Sequence, residues 1–329
     1  MKLLPSLFLL SAIMLALNSR SQDDFGNHGF DHYHAEHGWG TTEGHDHIQN
    51  IGSTHGGIVV DQDGLIYISS QNGIFIFNEE GALQNSIQDE ALSNIHAMAL
   101  QKEDGKEYIY GARDTAGKLV KFDTAGTLVM EIPFPEESGL PNTQYKPTAV
   151  AVKPNGHILL ADGYGSNIIF EFDANGKYQS HFGGKDDQDI TKFKTPHGLA
   201  IDTRYEPVRL LVCDREKRRL VHFDLAGNFI EEVVTELRRP CAVSIKGDYV
   251  AVAELQGRVV ILDGSNKIIS KLGDNPNKKQ WANFKVPTSD WQENIFTAPH
   301  GICWDSNGNL YVQDWNKTGR VTKWTPAIQ

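Results

Sequence analysis

The sequence predicts an all-β protein, a six-bladed β-propeller. Three observations point there. One short phrase recurs six times, its copies stand 41 to 59 residues apart, and Gly-rich turns separate the apolar runs between them. Short strands at even spacing mark radial repetition, and this period suits a four-stranded blade plus a variable loop. The first copies read Thr54-His55-Gly56-Gly57-Ile58-Val59-Val60-Asp61, Ile95-His96-Ala97-Met98-Ala99-Leu100 and Pro147-Thr148-Ala149-Val150-Ala151-Val152. The rest are Pro196-His197-Gly198-Leu199-Ala200-Ile201-Asp202, Pro240-Cys241-Ala242-Val243-Ser244-Ile245 and Pro299-His300-Gly301-Ile302-Cys303-Trp304-Asp305. After most copies come a polar turn, a second apolar strand ending near an acid, and a third ending in aromatic-Asp. Leu159 to Asp162 followed by Ile168 to Asp173 is one case. Asn155-Gly156, Asn175-Gly176, Ala226-Gly227 and Asn307-Gly308 supply the turns.

Taken in order, Lys2 and the apolar run Leu3 to Leu17 read as a secretory signal peptide over residues 1–21, too short to span a bilayer comfortably. An uncleaved N-terminal anchor is the alternative. Residues 22–46 mix acids with His28, His32, His34, His37 and His45, the composition of a flexible metal-scavenging tail or a plain solvated linker. The propeller is expected over residues 47–326. Its last copy runs out at Trp324 after three strands, so the missing outer strand is expected from His47 to Gly52, closing the ring and removing open edges. The long inserts Pro133–Lys146 and Gly273–Pro299 are loops on a rigid scaffold, where function often sits.

The net charge of −11 argues against nucleic acid and against an anionic membrane surface. Once the signal is removed no membrane partner is expected, and the chain should be a secreted or periplasmic monomer. Three cysteines, Cys213, Cys241 and Cys303, leave at least one unpaired; Cys213 and Cys241 fall in neighbouring repeats and could meet.

The first strand of each blade lines the axis, so the residue at its start in every blade forms a ring at one mouth. Those positions hold His55, His96, Thr148, His197, Cys241 and His300. His96, His197 and His300 belong to alternate blades and are related by an approximate three-fold. Three imidazoles converging in this way suit a transition metal, most naturally Zn²⁺, with a fourth position open for water or substrate. His55 breaks the three-fold and is a possible additional ligand. The alternative is turn chemistry, with each histidine bonded to a loop carbonyl. Loops after the second strands add Arg113-Asp114, Asp162-Gly163-Tyr164, Asp214-Arg215, Glu254 and Asp314-Trp315. The acids recur at one repeat position, which points to backbone bonding. Tyr164 and Arg215 depart from small polar fillers; a tyrosine beside a metal and a cation can serve as a base of lowered pKa, or orient substrate.

These repeats are of the NHL type. Tyr145 to Asp224 further resembles the lyase core of peptidylglycine α-amidating enzymes, the peptidyl-α-hydroxyglycine α-amidating lyase. The phrases that carry the resemblance are Lys146-Pro147-Thr148-Ala149-Val150-Ala151-Val152, Asp162-Gly163-Tyr164, Phe193-Lys194-Thr195-Pro196-His197-Gly198-Leu199-Ala200, Asp214-Arg215-Glu216 and Pro299-His300-Gly301. The resemblance implies a six-bladed propeller with zinc on His96, His197 and His300, Tyr164 as base and Arg215 on the substrate carboxylate. It implies cleavage of a peptidyl-α-hydroxyglycine, in the axial channel, to a peptide amide and glyoxylate. Ser69-Ser70-Gln71-Asn72-Gly73 stands where the family has a first-blade arginine, and Arg113 in blade 2 is the candidate substitute. Gly301 follows the last histidine where the family has an aspartate serving calcium, so Ca²⁺ is doubtful; Gly165 stands in place of a cysteine. No copper monooxygenase domain is expected, so a hydroxylated peptide would come from elsewhere.

Two other readings stand beside the exported zinc-dependent lyase. One is a non-catalytic propeller binding a protein or glycan partner, for which exposed Trp281 and Trp291 in the longest insert would speak. The other is a metal-binding envelope protein, supported only by the histidine-rich tail.

Overall fold

A computed structural model describes residues 28–29, 33–41, 49–142 and 144–327. They form six antiparallel sheets in chain order, each built of strands laid side by side from the axis outward. The innermost strands are Thr54–Val60, Ala97–Glu103, Ala149–Val152, Pro196–Asp202, Pro240–Lys246 and Pro299–Trp304. Each packs against the next, and Pro299–Trp304 packs against Thr54–Val60 to close the ring. The expected all-β, six-bladed propeller is what the chain adopts.

The middle strands are apolar without alternation because both faces of each blade are covered by neighbours. Ile158–Ala161 and Arg209–Asp214 in blades 3 and 4 are almost wholly buried, whereas the outer strand Leu83–Ile87 is exposed over most of its length. The core therefore lies between blades. Tyr110 and Leu119 of blade 2 meet Val150, Leu160 and Phe170 of blade 3 in one such cluster.

Closure differs from the expected arrangement in one respect. The outer strand of blade 6 is Tyr33–Ala35, paired with Val321–Pro326, and not residues 47–52. Tyr33 and Ala35 add to the cluster around Trp324 and Leu310, which a strand must do to cover that edge. Gln49 instead ties down the crossing chain with its side chain. Its amide donates to the carbonyls of Trp39 and Val321, and its oxygen accepts from the Val321 N–H. Part of the stretch expected as a tail thus belongs to the propeller. Trp39 is buried against Phe77 and Tyr311, with its indole N–H on the Glu79 carbonyl. His28–Gly29 adds a fifth strand to blade 5. The expected signal peptide, His32 and His45 lie outside the described residues. All three cysteines are buried and free, so the pairing of Cys213 with Cys241 does not occur.

Candidate metal centre on the propeller axis

The backbone builds the ring by one device repeated around the axis. A side chain at the end of each second strand grips the chain just ahead of the ring residue. Asp162 accepts the Lys146 N–H at 2.6 Å, Asp214 the Lys194 N–H at 2.7 Å and Asp314 the Ala298 N–H at 2.6 Å; Glu254 takes the Arg238 N–H. In blade 1 Ser70 fills the place and donates to the Ile51 carbonyl at 2.8 Å. The structural reading of these acids is the correct one. The strand register then slips at His197, Cys241 and His300, between Pro196 and Gly198, Pro240 and Ala242, and Pro299 and Gly301. Such bulges leave a residue unpaired and re-aim its side chain. The glycine after His300 is sterically required: a Cβ on Gly301 would sit 2.2 Å from the Gly56 carbonyl oxygen of the next blade.

The ring histidines meet on the axis. The ring centroids of His96, His197 and His300 form a nearly equilateral triangle with sides of 4.7, 4.7 and 5.0 Å. His55 adds contacts of 4.2 Å to His96 and 4.6 Å to His300. Nδ1 of His96 donates to the Thr148 carbonyl at 2.7 Å, and Nδ1 of His197 to the Cys241 carbonyl at 2.9 Å. In each case the acceptor is the ring residue of the next blade. Turn chemistry and metal chemistry are therefore not exclusive: a proton fixed on Nδ1 leaves the Nε2 lone pair free and oriented. Burial pushes the His96 imidazole down to about 3 and holds His197 and His300 well below the usual range, so all three are neutral at pH 7.

Neutral, buried, converging imidazoles are the donor set a transition metal takes. Two trios bring one donor atom from each member within 4.8 Å of the others: His55, His96 and His300, and His197, Cys241 and His300. The Nδ1 of His300 is buried and has no hydrogen-bond partner. The cluster can hold a metal ion, and the trio expected from the sequence, His96, His197 and His300, is divided between these two sets with His300 common to both.

Tyr164 and Arg215 reach the same point from blades 3 and 4. The Tyr164 hydroxyl donates to Nε2 of His197 at 2.9 Å, lies 3.3 Å from Nε2 of His96, and accepts from the Arg215 guanidinium at 3.0 Å. Arg215 is fixed in turn by Glu216 at 2.9 Å. Burial pushes the phenol up to about 12, against the pull of the Arg215 cation. The lowered pKa expected from sequence is not produced by the protein groups alone.

Arg113 does not join them. Its position is the one held by Asp162 in blade 3, since Ala97 pairs with Ala112 as Ala149 pairs with Ala161. It performs the same grip with reversed polarity, donating to the carbonyls of Ser93 at 3.2 Å and Glu90 at 2.8 Å. A second guanidinium comes instead from Arg239, bonded to Glu216 at 3.1 Å, a residue that precedes the repeated phrase and that nothing in the sequence marks. The neighbour of Arg113, Asp114, has a buried oxygen without a partner, and its charge acts on both His55 and Tyr164. On the far side Trp315 stacks on His55 at 5.9 Å, and Phe284 from the longest insert lies on Trp315 at 5.0 Å. Trp281 and Trp291 are not exposed: Trp281 is half-buried under Arg238, and Trp291 is buried beside Arg320.

No protein-family model matches the chain. Over part of its length it is distantly homologous to the amidating lyases. It is 38% identical over 80 residues to a nematode (Caenorhabditis elegans) protein described as a probable peptidyl-alpha-hydroxyglycine alpha-amidating lyase, covering 24% of this chain and 22% of that one. It is 31% identical over 192 residues to peptidyl-glycine alpha-amidating monooxygenase B of Xenopus laevis, covering 55% of this chain and 20% of that one. The chain thus spans about a fifth of the length of these curated relatives. Solved propellers share the fold at low identity. A streptogramin B lyase superposes with a TM-score of 0.59 at 15% identity, over 91% of this chain and 100% of that one. The virginiamycin B lyase of Staphylococcus aureus gives 0.56 at 16%, over 85% and 97%. A chain of the nidogen–laminin complex gives 0.52 at 10%, over 76% and 85%.

Proposed function

We propose that the protein is an extracytoplasmic, zinc-dependent lyase of the amidating type, cleaving a peptidyl-α-hydroxyglycine or a related carbinol into an amide and glyoxylate. One observation carries the reading. The Tyr164 hydroxyl lies against the Nε2 atoms of His96 and His197 and accepts a hydrogen bond from Arg215, the tyrosine and arginine that the resemblance implies. Export rests on the signal peptide read at residues 1–21.

In this reading His96, His197 and His300 hold the metal. A divalent ion there supplies Lewis acidity, polarising the carbinol oxygen and favouring the ionised form of a neighbouring phenol. Arg215 binds the substrate carboxylate, and Glu216 keeps its guanidinium from swinging away. Tyr164 takes the carbinol proton. As the carbonyl of glyoxylate forms, the carbon–nitrogen bond breaks towards nitrogen, and the leaving amide takes a proton back from the Tyr164 hydroxyl. Trp315 and Phe284 screen the His55 side from water.

The binding-module reading lacks a comparable observation, since the tryptophans that would favour it are covered. The test is glyoxylate release from an α-hydroxyglycine peptide by the zinc-loaded protein, lost on chelation and restored by zinc. No release from any hydroxyglycine peptide would reject the reaction.

A further inference from the structure

Two of the six ring positions lack a histidine, and their side chains are used differently. In blade 3 the Thr148 hydroxyl is consumed by the backbone: it contacts the carbonyls of Pro196 at 2.7 Å and Ala161 at 3.2 Å and accepts the Gly163 N–H at 3.2 Å. In blade 5 the Cys241 thiol has a weak contact, 3.7 Å to the Arg239 carbonyl, and interacts with the Arg215 side chain. It is fully buried, lines the axial cavity, and forms no disulfide. Its sulfur lies within 4.8 Å of a donor nitrogen of His197 and of His300. The strand slips its register at Cys241 just as it does at the two histidines flanking it.

We propose that Cys241 ligates the axial metal as a thiolate, beside His197 and His300. The proposal rests on the metal-centre reading above and deepens it. On binding, the sulfur–hydrogen bond gives way to a sulfur–metal bond and the proton passes to solvent. The guanidinium groups of Arg215 and Arg239 flank the sulfur and balance its charge. Cys241, His197 and His300 already form a three-ligand set, the number that leaves a tetrahedral ion one open position. A soft sulfur donor also biases the site toward zinc over magnesium or calcium.

Cobalt(II) reports the sulfur directly, because a cobalt–thiolate bond gives a near-ultraviolet charge-transfer band that nitrogen ligands do not. The full chain is titrated with cobalt and compared with Cys241→Ser and Cys213→Ser. The expected result is a band that saturates at one cobalt per chain, survives in Cys213→Ser and is lost in Cys241→Ser while visible ligand-field bands persist. Cobalt bound without the band, or a band that survives in Cys241→Ser, would overturn the thiolate and leave the histidine centre standing. No cobalt bound to any of the three proteins would reject the metal centre itself.

Discussion

The Tyr164 hydroxyl stands 2.9 Å from Nε2 of His197, and the Arg215 guanidinium stands 3.0 Å from that same hydroxyl. Blades 3 and 4 thus join at one oxygen, the atom that takes and returns the proton in the proposed reaction. Tyr164→Phe removes that oxygen and leaves the ring intact. Turnover should fall by about 10²- to 10⁴-fold with zinc content unchanged. Undiminished glyoxylate release would remove the tyrosine from the mechanism.

The two arginines at corresponding loops should separate cleanly. Arg215→Ala deletes a charge-assisted bond to the substrate carboxylate, and kcat/KM should drop by about 10- to 100-fold. Arg113→Ala deletes only the grip on Ser93 and Glu90, costing about 1 kcal/mol of stability. Its kcat/KM should stay close to wild type. Steady-state kinetics beside urea unfolding compares the two, and a large kinetic loss in Arg113→Ala would place it back in the site.

Acid should destabilise the metal-free protein early. His96, His197 and His300 have depressed pKa values in the fold, so below about pH 6.5 the unfolded chain binds protons that the folded chain does not. Stability is therefore fully present above that pH and lost as pH falls, by about 1.4 kcal/mol per pH unit for each histidine. Urea midpoints of chelated protein from pH 8 to 5 should show this slope, reduced in His96→Gln. A flat profile would show that the ring histidines bind protons in the fold just as they do in the unfolded chain.

Ring closure makes a prediction far from the axis. Trp39 fills the junction of blades 1 and 6, and Trp39→Ala should cost about 3–5 kcal/mol. Truncation before Gln49 should be worse, since it also removes the strand Tyr33–Ala35. Unchanged denaturation midpoints would mean that this segment is dispensable for closure.

The sequence makes the ring legible because each blade repeats one phrase whose second residue faces the axis. Tyr164 and Arg215 stand out as a phenol and a cation in the loops after the second strands, although Leu255 and Trp315 show that bulk alone is no signal there. Arg113 misleads because a repeat position fixes where a side chain starts and not where its long end goes; the carbonyls of Ser93 and Glu90 claim it. Arg239 precedes the repeated phrase and is visible only once Glu216 is seen to join it to Arg215. Tyr33–Ala35 is too short a strand to show a period, and its partner lies almost three hundred residues away, at the other end of the ring. Cys241 reads as a disulfide candidate until the fold puts it between two histidines.

Metal content tests the central claim most directly. Plasma mass spectrometry on the full chain, compared with His96→Ala/His197→Ala/His300→Ala, separates the axis from the histidines near the N-terminus. About one zinc per chain is expected on the axis, lost in the triple variant, with any zinc on the N-terminal histidines unchanged. Equal zinc in both proteins, or none after zinc is supplied, would contradict it and leave a propeller whose axis binds no metal.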